Sequence, residues 1–315
     1  MAKAKRKTKA ETKSAVSKPK AASVRRKGAG LKDIFLMARD AAVAWNADGA
    51  ASMGAAIAYY TIFSIAPLLI ISMAIAGVFF GSDAAQGHVY AQAQGFVGKE
   101  GAAALQGLVR SASQPAEGIF ATLVSLAVMA FGATGVFAEL QGAMDKIWQA
   151  PAAKTDSGWW YMIRRRILTF GMVLGVAFLL LVSLMVSAFI SALETLWSPL
   201  ISGSEIILQT VNFVVSLAVI TSLFALIFKM LPRVSVAWSD VLIGAAATAL
   251  LFNIGKFLIG LYIGKSGVSS GYGAAGTLIV LLLWVYYSAQ IFLLGAEFTW
   301  VYARRFGSKA GEGNH

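Results

Sequence analysis

Six long apolar stretches dominate this chain, at about residues 54–80, 119–137, 167–193, 206–230, 239–263 and 273–303. About 20 helical residues, rising 1.5 Å each, cross the roughly 30 Å of hydrocarbon in a bilayer. Five of the stretches exceed that length, and the second, the shortest, only just reaches it. Overall 58% of the residues are hydrophobic and 13% are charged, about half the charge of an ordinary soluble domain. The expected fold class is therefore all-α: a polytopic membrane protein with about six transmembrane helices in a domain of 54–303.

Loop charge sets the expected orientation, because Lys and Arg accumulate on the cytoplasmic side. Thirteen Lys/Arg precede residue 54, and five more lie in 138–166. Lys229 and Arg233 flank the turn between the fourth and fifth stretches, and Arg304, Arg305 and Lys309 follow the sixth. With six crossings all of these share one side, leaving Lys99, Arg110 and Lys265 on the other. Both termini are thus expected in the cytoplasm. Trp159, Trp160 and Tyr161, just before Arg164–Arg166, suit an interfacial aromatic belt.

Most of the formal net charge of +12 sits in residues 1–30, where eleven Lys/Arg face one acid, Glu11. This segment has no aromatic residue and too little apolar surface to fold alone, so it reads as a disordered basic tail. It is expected to touch anionic lipid head groups. No nucleic-acid partner is expected, since nothing is interleaved for base stacking. The first apolar run lies too far in for a cleavable signal peptide. Residues 31–47 read as an amphipathic helix with Leu31, Ile34, Phe35, Ala38, Ala41, Ala42 and Trp45 on one face. The unit 31–53 is expected to lie in the cytoplasmic interface, and 304–315 to form a short cytoplasmic tail. The partners are the bilayer and, left open, a second copy of the chain.

Enzyme chemistry has little to stand on. There is no cysteine, so thiolate ligands and a Cys nucleophile are excluded. The two histidines, His88 and His315, are far apart, which argues against a His-built zinc site. There is no HExxH pair. Neither a metal nor another cofactor is expected.

Four stretches, in order, carry a resemblance: AAIAYYTIFSIAPLLIISMAIAG at 55–77, FGATGVFAELQGAMDKIW at 131–148, LPRVSVAWSDVLIGAAATALLFNIGKFLIGLYI at 231–263, and YGAAGTLIVLLLWVYYSAQIFLLGAEFTWVYA at 272–303. Over about residues 33–305 the chain resembles the YihY/BrkB family of bacterial inner-membrane proteins. That resemblance implies six transmembrane helices in the inner membrane and little about activity. The family carries two old labels, a serum-resistance virulence factor and a tRNA-processing ribonuclease called BN, and a transport role has been suggested for relatives. Metal-dependent RNA cleavage needs clustered ligands around an activated water, and this chain has no such cluster. The ribonuclease label is not supported by the residues present.

Polar residues inside spans are costly and are the natural site candidates. Asn253 and Lys256 share a face of the fifth span. On the sixth, Tyr286, Gln290 and Glu297 fall within about 40° of one another at 100° per residue. By helical rise Asn253 matches Gln290 in depth, and Lys256 matches Tyr286. These residues form either a polar seam lining a pathway or interhelical hydrogen bonds, with Lys256 snorkelling outward. Glu297 is either a gating or proton-coupling carboxylate or a partner of Arg304 or Arg305. Ser64 and Pro67 mark a kink in the first span, as a hinge or as packing geometry. Glu139, Gln141, Asp145 and Lys146 form a cytoplasmic gate or a solvated helix end. Small residues at 49–54, 132–135, 244–249 and 271–276 suit close helix approach. The expected function is a transporter or permease for a small solute or ion; the alternative is a non-transporting envelope scaffold or lipid-interacting protein.

Overall fold

The computed structural model describes residues 30–64, 87, 90, 94, 101–107, 135–151, 204–266 and 276–310. Regular structure among the described residues is helical throughout. The elements are α1 (Leu31–Ala47), α2 (50–64), α3 (101–107), α4 (135–147), α5 (Ser204–Met230), α6 (Trp238–Ser266) and α7 (Gly276–Arg305).

Local chemistry explains the boundaries. Asp33 reaches back to accept the Gly30 N–H at 3.1 Å, satisfying an otherwise orphaned donor and placing negative charge at the positive end of α1. The helix closes at Asp48, whose N–H donates to the Ala44 carbonyl at 2.8 Å. Gly49 then takes a left-handed φ of 67°, a conformation that costs glycine little, and α2 starts at once. The expected interfacial unit of 31–53 is therefore broken by a tight turn at 48–49. Gln149, also left-handed, ends α4 (φ 49°), and the Ala150 N–H returns to the Asp145 carbonyl at 2.8 Å.

Three described helices are long and apolar enough to cross a membrane, over Thr210–Met230, Trp238–Lys265 and Leu278–Arg305. At 1.5 Å per residue they measure roughly 32–42 Å. They correspond to the stretches expected at 206–230, 239–263 and 273–303. The first expected span, 54–80, begins within α2, and the second, 119–137, meets the start of α4. The span expected at 167–193 lies outside the described residues, as do the basic tail before Gly30 and Pro67.

The core runs through α2, α4, α5, α6 and α7. Ile57, Met144, Phe228, Ala245 and Leu293 are among its buried members. Phe224, Phe228, Phe252 and Phe292 stack and edge together with ring centroids 5.3–6.2 Å apart. Near the other end of α6 and α7, Ala104 and Leu105 of α3 cover Ile263, Leu281 and Trp284. Facing outward are Val214, Leu250, Ile254, Phe257, Leu261 and Leu282, all exposed. An apolar coat of this extent on three long helices is what lipid, not water, solvates.

α1 lies against the C-terminal part of α7 through Met37 and Ala41, which meet Val301. Of the apolar face expected on α1, Ala41 turns inward and Trp45 is half-buried, while Ile34, Phe35, Ala38 and Ala42 stay open. Around the helix the open apolar sector is followed, at 100° per residue, by an open polar one holding Lys32, Arg39 and Asn46. α1 thus presents one sector to protein, one suited to lipid and one suited to water.

Candidate functional site

α6 and α7 mesh through a reciprocal pair of Gly-x-x-x-Thr steps. A Cβ on Gly244 would collide with the Thr299 side chain, and one on Gly295 with Thr248. Each threonine donates its hydroxyl to the carbonyl of the glycine four residues earlier in its own helix, Thr248 to Gly244 and Thr299 to Gly295, both at 2.7 Å. Small residues allow this close backbone approach. Gly255 similarly receives Tyr287 and Ile291. This antiparallel register places Asn253 opposite Gln290 in depth, as helical rise predicts.

Their side chains nevertheless have different partners. The Asn253 amide donates to the Ala249 carbonyl of its own helix at 2.9 Å. Gln290 points the other way: its amide fits against Gly54 and donates to the Ala51 carbonyl at 3.4 Å, both on α2. Lys256 and Tyr286 are half-buried. The Ser64 hydroxyl donates to the Thr61 carbonyl at 3.1 Å, and that of Thr61 to the Ile57 carbonyl at 2.7 Å.

Gly295 and Glu297 point about 160° apart on α7, so a helix gripped by α6 on one side turns Gln290 and Glu297 toward α2 and its leading turn. Glu297 is only 1% exposed. Its carboxyl lies in hydrogen-bonding position to the Asp48 carboxyl, and Lys146 of α4 is the nearby positive charge. The Lys146 ammonium itself donates to the Asp48 carbonyl. Gln290 Oε1 and Glu297 Oε1 are both sealed from solvent, and neither receives a hydrogen bond among the described residues. Two orphaned acceptors therefore lie on one stripe of one membrane-length helix. The expected pairing of Glu297 with Arg304 or Arg305 does not form. Arg304 lies over the Trp300 ring at 4.7 Å, and Arg305 reaches Asp40 of α1 at 3.5 Å.

Below this site a polar belt ties the helix ends together. Asp145 accepts the Arg233 backbone N–H at 2.8 Å and its guanidinium at 3.1 Å. Gln141 donates to the Leu231 carbonyl at 3.4 Å, and Lys229 donates to that of Val236. Gln141, Asp145 and Lys146 thus hold neighbouring segments. Asp240, fully buried, accepts the Ser308 N–H at 2.8 Å and hydroxyl at 2.6 Å. The described start of the expected C-terminal tail is folded back onto α6. Sequence reasoning passed over Asp48 and Asp240; the Asp-Gly pair at 48–49 was the available turn signal for the first.

Among the described residues no three His, Cys, Asp or Glu side chains gather to hold a metal ion. An apolar cavity of about 230 Å³ lies between α2, α4, α5, α6 and α7, lined by Ile57, Leu140, Phe224, Phe252 and Phe292, with Ser288 its polar member.

The family described as Virulence factor BrkB matches over residues 41–315. A UPF0761 membrane protein of Pseudomonas aeruginosa (strain LESB58) is 28% identical over 256 residues, covering 79% of this chain and 58% of that protein. One from Rhodospirillum centenum is 27% identical over 265 residues, covering 81% and 54%. One from Tolumonas auensis is 43% identical over 75 residues, covering 24% and 25%. The chain thus spans 58% or less of the length of these relatives. They are named as membrane proteins, by no catalytic activity. No solved structure matches. Family match and lipid-suited helices together make this chain an integral membrane protein that belongs to the YihY/BrkB family.

Proposed function

We propose that this chain is a transporter or permease for a small solute or ion in the bacterial inner membrane, with six spans and both termini in the cytoplasm. The observation that carries the reading is the pair of orphaned acceptors, Gln290 Oε1 and Glu297 Oε1, buried along α7. A buried carboxyl without a donor costs several kcal/mol, and a helix that only held neighbours in place would do better with an apolar residue there. Acceptors aligned in the membrane suit a pathway for a proton, a cation or a hydrogen-bond donor. The six crossings and their orientation rest on the loop charges.

Everted vesicles carrying a fluorescent pH-gradient probe test this with a panel of cations. Wild type is expected to dissipate the gradient, with loss in Glu297→Gln at equal expression and retention in Lys256→Met if Lys256 only snorkels. No flux above an empty-vector control excludes ion exchange, and uptake of organic solutes is then measured separately.

One observation favours the second reading, a non-transporting scaffold or lipid-interacting protein: the open apolar sector of α1, with Phe35 71% exposed, beside the basic N-terminal segment. Absence of flux together with stable co-purification of an anionic lipid would select it.

A further inference from the structure

We propose that Asp48 and Glu297 form an exchangeable proton-binding site in which one proton is shared between the two carboxyl groups, joining the α1–α2 turn to α7. This identifies the coupling particle of the transport reading and rests on it for its role, though not for its existence.

The argument starts from charge. Two carboxyls within hydrogen-bonding reach cannot both be ionised without strong repulsion, and one proton between them converts that repulsion into a hydrogen bond. Glu297 Oε1 is sealed and lacks a donor among the described residues, and a proton on this carboxyl removes the charge that burial penalises. From α4, Lys146 brings one positive charge to the cluster. With both acids ionised the three groups sum to −1; with one proton they are neutral, the form a low-dielectric site favours.

The same lysine argues for a proton over a metal cation. Any added cation would face the ammonium, and two carboxyls, with no third acidic ligand among the described residues, make a poor metal cage. Among the described residues, the charged groups of α1, α5 and α6 are engaged elsewhere or lie at another depth. On α6, Asp240 is bound to Ser308, and Lys256 sits near the depth of Tyr287, ten residues from Glu297 on the α7 scale. On α5, Lys229 is turned to Val236 and Trp238. On α1, Asp40 is engaged by Arg39 and Arg305.

The consequence of releasing the proton is mechanical. Only the O–H bond breaks, and the proton leaves to bulk water. Two like charges then oppose each other across the seam between the turn and α7. Asp48 sits in the two-residue turn that leads into α2, so repulsion there bears on α2 directly. α2 is also where Gln290 makes its long 3.4 Å bond.

The test is infrared difference spectroscopy during a pH titration of the full chain in nanodiscs, with flux measured in parallel in vesicles. Wild type is expected to show a protonated-carboxyl C=O band that vanishes on alkalinisation. The band should be lost in Glu297→Gln and lost or shifted in Asp48→Asn, with the helical circular dichroism signal retained. Lys146→Met should change the pH at which the band disappears, because the cluster loses its positive charge. No titrating carboxyl band in wild type, or a band unchanged in both acid variants, overturns the site. A band that behaves as expected without any flux leaves the proton site standing and removes proton-coupled ion exchange. Flux without the band does the reverse.

Discussion

Gly244 and Gly260 lie on the same helix and differ in what surrounds them. A side chain on Gly244 meets Thr299, which is buried, β-branched and tied to Gly295, whereas nothing among the described residues crowds Gly260. Gly244→Ala is therefore expected to destabilise by about 1–3 kcal/mol through overpacking. Gly260→Ala should stabilise by about 0.5–1 kcal/mol through lost backbone freedom in the unfolded chain. Thermal unfolding in detergent, read for both variants, checks the opposite signs. Asp145 and Arg233 differ similarly. Asp145 serves two donors of the Arg233 residue, one of them backbone. Arg233→Ala removes only the partly exposed ion pair, a loss of about 0.2–1 kcal/mol. Asp145→Ala also removes the hydrogen bond to the backbone N–H, a net contribution of about 0.5–1.5 kcal/mol, and should cost more. A double-mutant cycle on the same unfolding measurement separates the two contributions.

Elements were legible where they are long. The apolar runs over 206–230, 239–263 and 273–303 each correspond to one helix, because lipid leaves the backbone no other way to satisfy its own polar groups. The Tyr286–Gln290–Glu297 stripe was also legible, since helical spacing alone aligns it. Its partner was not. The stripe sits almost equally well, by depth, against Asn253 or against α2, and the close approaches at Gly244, Gly255 and Gly295 decide which face of α7 belongs to α6. Asp48 escaped notice because it is remote in sequence from Glu297 and lies outside every apolar run. On α1 the apolar face expected from helical spacing is split: Ile34, Phe35, Ala38 and Ala42 stay open, while Ala41 joins Met37 against α7. Nitroxides on single cysteines test the three sectors. A label at Phe35 is expected to meet membrane-dissolved oxygen more readily than a water-soluble relaxant, and one at Lys32 the reverse. Equal accessibility at both sites would remove the interfacial placement.

At the scale of the whole molecule, the turn after α5 and the residues after α7 share one end, joined by the Asp240–Ser308 bonds. The end of α6 at Lys265 lies at the other. The absence of native cysteine makes this directly measurable. Single cysteines at Val234 and Ala310 should react with a membrane-impermeant maleimide in everted vesicles, and one at Lys265 should react only from the opposite face in intact cells. Labelling of Val234 and Ala310 from opposite faces would overturn the shared end. The meshed Gly-x-x-x-Thr steps have a consequence at this scale as well. Each threonine is a peg in the notch left by a glycine on the facing helix, so α6 and α7 cannot slide past each other by small amounts without lifting two pegs at once. Gears locked in this way turn together or not at all. The α6–α7 pair is therefore expected to move as one body.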